Sequence, residues 1–412
     1  MKTTFRLLFG LTLLGVAVSA SGQRAATRTL AGQRCWVVAS DQVELAITRT
    51  GGHMAPVTFY RNTDSPVAPY YISPWQDEGH QSMPAEVLAP LRGDFFCMPF
   101  GANVEARDGE QHTVHGEVAT KVWACESNTT KANGTARLVL SLETSVRPGR
   151  VTKEICLRPG HPAVYQCHTI EGFAGPTPLG HHATLAMPAE EGVFAISTCP
   201  FKLAMTNPGL FGDPAGGEYQ SLALGKTFSD LKSVPSLWES PATVDCSRLP
   251  ARRGFADLFA VVADVEALAG QPAWTAAVNT KENWCWFSLR DPTVLPMTAF
   301  WLENHGRHSF PWNGRNQCLG MEDVCGYFAD GLVPSTEPNQ LSEQGIPTAV
   351  TLDADRPTAV RSIQAAVPVP SDFGSVDRIE FADASVSLIS DAGKAVAVPL
   401  DWTFVLGGAL AR

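Results

Sequence analysis

The segment "SVRPGRVTKEICLRPGHPAVYQCHTIEG", residues 145–172, gives the clearest indication of the fold. Its runs of β-branched and aromatic residues are separated by two Pro-Gly turns, a pattern typical of strands joined by hairpins. Similar runs, bounded by turn clusters, recur along the chain as "CWVVAS", "VELAITRT", "ARLVLSLETSV", "DLFAVVADV", "WCWFSLR" and "ASVSLIS". No long stretch has the period of roughly 3.6 residues that a helix requires. The sequence therefore predicts an all-β protein built as a large antiparallel sandwich.

The first twenty residues, "MKTTFRLLFGLTLLGVAVSA", have the pattern of a secretory signal peptide. Lys2 and Arg6 precede an apolar centre, and small residues follow at the expected cleavage site. A retained membrane anchor is the alternative, but the apolar run is short for a span of about 20 residues. We therefore expect a secreted or periplasmic protein with no membrane span in the mature chain. Residues 21–412 contain no repeat or clear linker, which predicts a single domain.

Composition excludes several classes of function. The net charge is −10 and the sequence has no basic stripe, so nucleic acid is not an expected partner. The ten cysteines include no Cys-x-x-Cys pair, which argues against a zinc ribbon or a thioredoxin-type motif. Disulfides are compatible with export, but their pairing cannot be read from sequence, and apolar neighbours predict buried thiols at Cys97 and Cys285. No histidine or carboxylate spacing matches a metal site, so neither a metal nor another cofactor is expected.

Three stretches place histidine or charged residues inside apolar surroundings. "PLRGDFFCMPFGAN", residues 90–103, contains Arg92, and "HTVHGEVATKVW", residues 112–123, contains His115 and Glu117. Spacing by two predicts that His115 and Glu117 share one face of a strand. "LGHHATLAMP", residues 179–188, contains two adjacent histidines. Neighbouring side chains of a strand point to opposite faces, so only one of this pair can line a given site.

The fourth stretch, "WLENHGRHSFPWNGRNQCLGMEDVCGYF", spans residues 301–328 and mixes tryptophans with polar side chains. Trp312 and Arg315 are of the types that bind sugars, because apolar sugar faces stack on aromatic rings and hydroxyls take directed hydrogen bonds. An ordinary aromatic core explains the tryptophans but not the many charges between them. Glu322 follows the apolar Leu-Gly-Met at 319–321, which suggests a carboxylate withdrawn from water. Such a carboxylate has a raised pKa and can act as a base near neutral pH.

The order of these motifs resembles that of the galactose mutarotase-like (aldose 1-epimerase) superfamily. An Arg-Gly with a following Pro and Phe-Gly, a His-Gly with a following Trp, a strand histidine and a late Gly-x-Glu occur in sequence between about residues 40 and 330. The family's His-x-Tyr-Phe-Asn-Leu motif is replaced here by "HHATLAMP". The resemblance implies a β-supersandwich that binds a small-molecule carbohydrate. It also implies interconversion of the two anomers of an aldose through the open-chain aldehyde.

The resemblance also implies roles for individual residues. Glu322 occupies the Gly-x-Glu position and corresponds to the base. His182 corresponds best to the strand histidine that acts as the acid, and His181 is the alternative one residue away. His115 corresponds to a residue that hydrogen-bonds a hydroxyl or the ring oxygen.

Two further residues are expected to bind substrate. Arg92 corresponds to a residue that binds a hydroxyl near the reacting centre. Asp257 in "GFADLFAVV" is a candidate for the family's aspartate that holds sugar hydroxyls. Both assignments are carried over from the family pattern.

Three alternatives remain open at this point. One is a carbohydrate-binding protein on the same fold without catalytic turnover. Another is a different enzyme of the sandwich class, such as a polysaccharide lyase, although the lack of helical periodicity argues against a helical toroid domain. The third is a mutarotase for sugar phosphates, in which arginines would meet the phosphate; export makes this substrate less expected.

Overall fold

The computed structural model describes residues 26–80 and 82–407. The predicted signal peptide, residues 1–20, lies outside the described residues. Two large sheets dominate the structure, and all neighbouring strands in them are antiparallel. The predicted all-β class is therefore confirmed.

The first large sheet has seven strands. Their spatial order is Thr227–Phe228, Phe201–Thr206, Phe255–Ala263, Met297–Asn304, Gln317–Cys325, Leu179–Ala186 and Phe96–Cys97. The central strands are buried along nearly their whole length, because other elements cover both faces of the sheet.

The second large sheet has nine strands. Their spatial order is Arg248–Leu249, Phe194–Thr198, Ala273–Asn279, Trp284–Arg290, Thr358–Pro368, Ala163–Glu171, Gly149–Leu157, Ala136–Thr144 and Ala124–Thr130. The hairpin strands predicted between residues 145 and 172 are Gly149–Leu157 and Ala163–Glu171 of this sheet.

Four smaller sheets accompany the two large ones in the described residues. A four-stranded sheet contains Arg28–Leu30, Gln33–Ala39, Val43–Thr48 and Met54–Phe59. A three-stranded sheet contains Val376–Ala382, Ser385–Ser390 and Ala395–Pro399, and two short pairs join Gly175–Thr177 with Val350–Leu352 and Val234–Pro235 with Thr243–Val244.

Helices in the described part of the chain are short. The α-helices are Val265–Leu268 and Leu332–Thr336. The 3-10 helices are Glu86–Leu88, Glu117–Ala119, Pro214–Gly216, Leu231–Ser233, Ser342–Gln344 and Trp402–Leu406. Over residues 26–80 and 82–407, no helix has the length and apolarity needed to span a membrane.

The main core lies between the two large sheets. Phe259 and Phe300, on adjacent strands of the seven-stranded sheet, stack with ring centroids 4.8 Å apart and pack in one cluster with Leu140 and Ile155 of the nine-stranded sheet. The opposite face of the nine-stranded sheet packs against the three-stranded sheet. The opposite face of the seven-stranded sheet is covered by segments from residues 71–95 and 326–346 and by Trp312.

All ten cysteines lie within the described residues and have free thiols. Cys97 and Cys285 are fully buried, as their apolar neighbours predict. The structure therefore gives no disulfide pairing to the described chain, and the sandwich is held together by packing and hydrogen bonding.

Replacing Phe259 with alanine should lower the free energy of unfolding by about 3–5 kcal/mol, because the side chain is fully buried and its loss leaves a cavity. Urea denaturation followed by circular dichroism measures the effect. Phe310→Ala removes the same side chain from a position that is 43% exposed and should cost less than about 1 kcal/mol. Equal losses in the two variants would contradict the assigned position of the main core.

Candidate active site

A cavity of about 280 Å³ opens on the outer face of the seven-stranded sheet, the face turned away from the main core. Its polar lining residues are His115, His182, Arg307 and Glu322. The remaining lining residues are apolar or aromatic: Ala85, Val87, Leu88, Leu91, Phe95, Ala102, Val114, Phe211, Leu258, Trp301, Trp312 and Ala329.

His182 and Glu322 form the floor of this cavity. They are directly opposite each other on neighbouring antiparallel strands, so their side chains emerge on the same face of the sheet. His182 Nε2 lies 3.1 Å from Glu322 Oε1, and both residues are buried. The second ring nitrogen of His182, Nδ1, lies 3.1 Å from Thr184 Oγ1, which fixes the plane of the imidazole.

Burial shifts the pKa values of His182 and Glu322 in the directions that favour their neutral forms. It lowers the pKa of His182 well below its usual value. It raises the pKa of Glu322 well above its usual value, although the positive charge of Arg307 opposes that rise. The two groups share one short contact. Proton transfer across that contact would interconvert an ion pair and a neutral pair without changing the total number of bound protons.

Gly320 leaves space for the Glu322 carboxylate. The two residues are on the same face of one strand, and a Cβ atom at position 320 would lie 2.5 Å from Glu322 Oε1. It would also lie 2.9 Å from the Cβ atom of Trp301 on the neighbouring strand. The glycine of the Gly-x-Glu motif is therefore required by close packing around the carboxylate.

His115 reaches the same cavity from a loop. Its Nδ1 accepts a hydrogen bond from the backbone N–H of Gly101 at 3.2 Å, so the neutral imidazole carries its proton on Nε2. Removal of the ring from water lowers the pKa of His115 to about 3. The His115 and His182 rings meet edge to face with centroids 5.0 Å apart. His115 is therefore a neutral hydrogen-bond donor next to the pair of His182 and Glu322.

His115 and Glu117 do not share a strand face, so that part of the sequence prediction is wrong. His115 and Gly116 have φ angles of 60° and 77°, and Glu117 begins a 3-10 helix. The chain turns between them. The Glu117 carboxylate accepts hydrogen bonds from Ser145 and Val146 and lies away from the cavity.

Aromatic rings surround the pair of His182 and Glu322. Phe95 stacks on His182 with ring centroids 4.5 Å apart, and Trp301 meets the same imidazole edge to face at 5.8 Å. Trp312 packs edge to face on Trp301 at 5.7 Å. The Arg307 guanidinium carbon lies 5.6 Å and 5.3 Å from the ring centroids of these two tryptophans. Trp312 therefore lines the cavity next to Trp301.

Glu303 holds the loop that presents Arg307. Its Oε1 accepts hydrogen bonds from the backbone N–H groups of Gly306 at 2.9 Å and Arg307 at 3.2 Å, and its Oε2 lies 3.7 Å from Arg307 Nε. Burial raises the pKa of Glu303 to about 7, although Arg307 opposes the rise. The carboxyl group therefore remains largely protonated up to neutral pH in the folded protein.

The structure separates the two adjacent histidines. His182 faces the cavity, whereas His181 points to the opposite side of the sheet and lies between the two large sheets. There its Nδ1 is 3.1 Å from Asp94 Oδ2, and its Nε2 is 3.2 Å from the hydroxyl of Ser362. His181 is therefore not placed to contact a ligand in this cavity.

Three other predicted binding residues also lie outside the cavity lining. Arg92 is buried, and its guanidinium donates to the carbonyl oxygens of Leu30, Ala31 and Pro90 and to the Gln76 side chain. Asp257 points to the inner face of the sheet and accepts hydrogen bonds from Ser221 and Leu222. Arg315 forms an exposed ion pair with Glu78.

Two residues that line the cavity, Arg307 and Trp301, received no role from the resemblance to the superfamily. Arg307 and Trp301 lie in the polar, tryptophan-rich stretch that points to carbohydrate recognition, but no sequence spacing distinguishes them from their neighbours. Trp301 and Glu303 are two residues apart in one strand, so alternation predicts that their side chains share a face. Arg307 lies in a loop and has no comparable signal.

The fold is shared with solved structures of low sequence identity. A protein proposed to be an aldose 1-epimerase, from Klebsiella pneumoniae, aligns with a TM-score of 0.56 and 15% identity over 82% of this chain and 80% of that one. A galactose mutarotase-like protein from Clostridium acetobutylicum aligns with a TM-score of 0.53 and 11% identity, over 84% and 98% of the two chains. This chain has the galactose mutarotase-like fold. An aldose epimerase homologue from Caenorhabditis elegans agrees, with a TM-score of 0.51, 12% identity and coverage of 84% and 100%.

Comparison with family models and with curated sequences does not detect this similarity of fold. No protein-family sequence model matches the chain, and no curated protein sequence matches it significantly. The likeness to galactose mutarotase-like structures is therefore a likeness of fold, and the chemistry must be argued from the cavity.

Glu303 should make folding stability depend on pH with a definite sign. Its pKa is about 7 when folded and 4.5 in the reference state, so between these values the unfolded chain releases a proton that the folded chain retains. Stability from this group is therefore complete below about pH 4.5 and is lost as pH rises through 7. Relative to Glu303→Gln, the wild type should lose up to about 3 kcal/mol over this range.

Urea denaturation of both proteins between pH 4 and 8 measures this difference. Other groups of the folded protein titrate over the same range, so the quantity that matters is the difference between the two unfolding free energies. Glu239→Gln, at an exposed position, is the matched control and should run parallel to the wild type. A constant difference between Glu303→Gln and the wild type would contradict the raised pKa of Glu303.

Proposed function

We propose that the protein is an aldose 1-epimerase-like enzyme, a mutarotase that interconverts the anomers of a sugar. The observation that supports this most strongly is the contact between His182 and Glu322 on the floor of a cavity lined by tryptophans. An acid and a base on the same side of a sheet, close enough to act on neighbouring atoms, are what ring opening requires. The predicted signal peptide, residues 1–20, supports action outside the cytoplasm.

In the proposed reaction, the carboxylate of Glu322 takes the proton from the C1 hydroxyl. The C1–O5 bond breaks as the C1 carbonyl forms, and imidazolium His182 donates its proton to O5. The pair thereby passes from its ionised form to its neutral form, which burial favours. Rotation about the C1–C2 bond presents the other face of the aldehyde, and the same proton transfers in reverse close the ring.

His115 supports the same step without changing its own protonation. Because its Nδ1 is occupied by the Gly101 N–H, its Nε2–H is available to donate to the ring oxygen or to a hydroxyl. Its pKa of about 3 keeps the ring neutral throughout the physiological range. A neutral donor at this point stabilises negative charge that develops on oxygen.

Glu322→Gln should lower kcat for anomer exchange by about 10²- to 10⁴-fold, because the amide is nearly isosteric but cannot accept the C1 proton. The measurement follows the anomeric proton signals of freshly dissolved pure anomers by NMR, with and without protein. Glu239→Gln is the matched control at an exposed site. Exchange at the wild-type rate in Glu322→Gln would exclude this residue as the base. Sugar binding without acceleration by the wild type would favour the non-catalytic binding protein.

Gly320→Ala should lower kcat/KM by about 10²-fold, because the added methyl group must displace the Glu322 carboxylate or the Trp301 side chain. The same NMR assay measures the effect, and circular dichroism reports whether the variant folds. Gly216→Ala is the matched control, since a Cβ at position 216 meets no atom within 4 Å. Unchanged activity in folded Gly320→Ala would show that the position of the carboxylate is not critical.

A further inference from the structure

The cavity offers few hydrogen-bonding groups to a sugar. Besides Glu322, His182, His115 and Arg307, the side chains that line it, all within the described residues, are hydrocarbon or aromatic. In the proposed reaction the first three of these groups are engaged by the C1 hydroxyl and the ring oxygen. A fully hydroxylated aldohexose in its pyranose form presents four more hydroxyl groups. The cavity walls therefore lack hydrogen-bonding side chains for most of those hydroxyls.

Three donor side chains, Trp301, Trp312 and Arg307, remain for the rest of the ring. Trp301 is buried, and its indole N–H has no hydrogen-bond partner within the described chain. The Arg307 guanidinium lies against the rings of Trp301, Trp312 and Phe211, with its Nε 3.7 Å from carboxylate oxygens of Glu303 and of Glu218. The indole N–H of Trp312, which also lines the cavity, is a third donor. Arginine and tryptophan side chains donate hydrogen bonds but accept none, so these three groups leave the protons of the remaining hydroxyls without a side-chain acceptor.

The cavity offers extensive apolar surface for contact with a ligand. Val87, Leu88 and Leu91 line the cavity from the segment containing the 3-10 helix Glu86–Leu88, and Val114 lines it from the loop next to His115. A hydroxyl pressed against this hydrocarbon loses its water without gaining a partner, which costs about tenfold or more in affinity. A hydrogen atom or methyl group at the same place gains from burial.

We propose that the sugar bound here is a deoxy aldose, one in which hydrogen replaces at least one hydroxyl so that a methyl or methylene group contacts the aliphatic wall formed by Val87, Leu88, Leu91 and Val114. For turnover this inference rests on the proposed mutarotase function. For binding it rests only on the composition of the cavity. The size of the cavity, close to the lower end of small-molecule sites, fits a monosaccharide.

Matched pairs of sugars test the proposal on the purified protein. Anomer exchange is measured for galactose and 6-deoxygalactose, mannose and 6-deoxymannose, and glucose and 2-deoxyglucose, each relative to its own spontaneous rate. At least one deoxy sugar should have a kcat/KM about tenfold or more above that of its parent. Parents that are processed as well as, or better than, their deoxy partners in every pair would overturn the proposal.

Binding to the Glu322→Gln variant separates this proposal from the proposed function. Tryptophan fluorescence measures the Kd of each sugar in a protein from which the base has been removed. Tighter binding of a deoxy sugar supports the present inference even if the wild type accelerates no exchange, in which case only the mutarotase function fails. Equal binding within every pair overturns the inference even if exchange is accelerated. No binding of any sugar overturns both.

A change in the wall gives an independent test. Val87→Thr puts a hydroxyl in place of a methyl group at a buried cavity position and should shift the ratio of kcat/KM, or of Kd, toward the parent sugar by about threefold or more. Val122→Thr, at an exposed position, is the matched control and should leave the ratio unchanged. An unchanged ratio in Val87→Thr would overturn the assignment of this wall as the contact of the deoxy position.

Discussion

The register between the strands Leu179–Ala186 and Gln317–Cys325 is the constraint on which the site depends. His182 is opposite Glu322 in this register, and His181 is opposite Asp323. Because side chains alternate along a strand, the first pair faces the cavity and the second faces the main core. A slip of one residue in either strand would turn His182 or Glu322 toward the core and bring its neighbour in the strand to the cavity.

Hydrogen bonds on the inner face act against such a slip. Asp323 accepts hydrogen bonds from Arg290 at 2.7 Å, Ser288 at 2.6 Å and Thr298 at 2.8 Å, the first two from the nine-stranded sheet. His181 is held in the same way by Asp94 and by Ser362 of the nine-stranded sheet. A shifted register would leave these buried polar groups without partners, at a cost of about 1–3 kcal/mol for each group. The polar contacts in the core therefore stabilise the geometry of the cavity on the other side of the sheet.

The strands and the burial of Glu322 could be predicted from sequence, because both follow from patterns within a few residues. The alternation of side chains along a strand likewise assigns His181 and His182 to opposite faces from sequence alone. Arg92 could not be placed in this way, because its partners include the carbonyls of Leu30 and Ala31, far away in the chain. Asp257 occupies a strand that is buried over nearly its whole length, where both faces are largely apolar and the pattern does not tell which face lines the cavity.

The apolar walls of the cavity have two consequences that cannot be separated. They withdraw Glu322 and His182 from water, which shifts both pKa values in the direction that favours the neutral forms. In the proposed reaction, the pair reaches these neutral forms as the sugar ring opens. The same walls contain few side chains that can hydrogen-bond a sugar hydroxyl. A neutral or positively charged polar group added to hold another hydroxyl would bring water or positive charge closer to Glu322 and lower its pKa. The proposed reaction of His182 and Glu322 and the proposed preference for a deoxy sugar would therefore both depend on the same hydrocarbon surface.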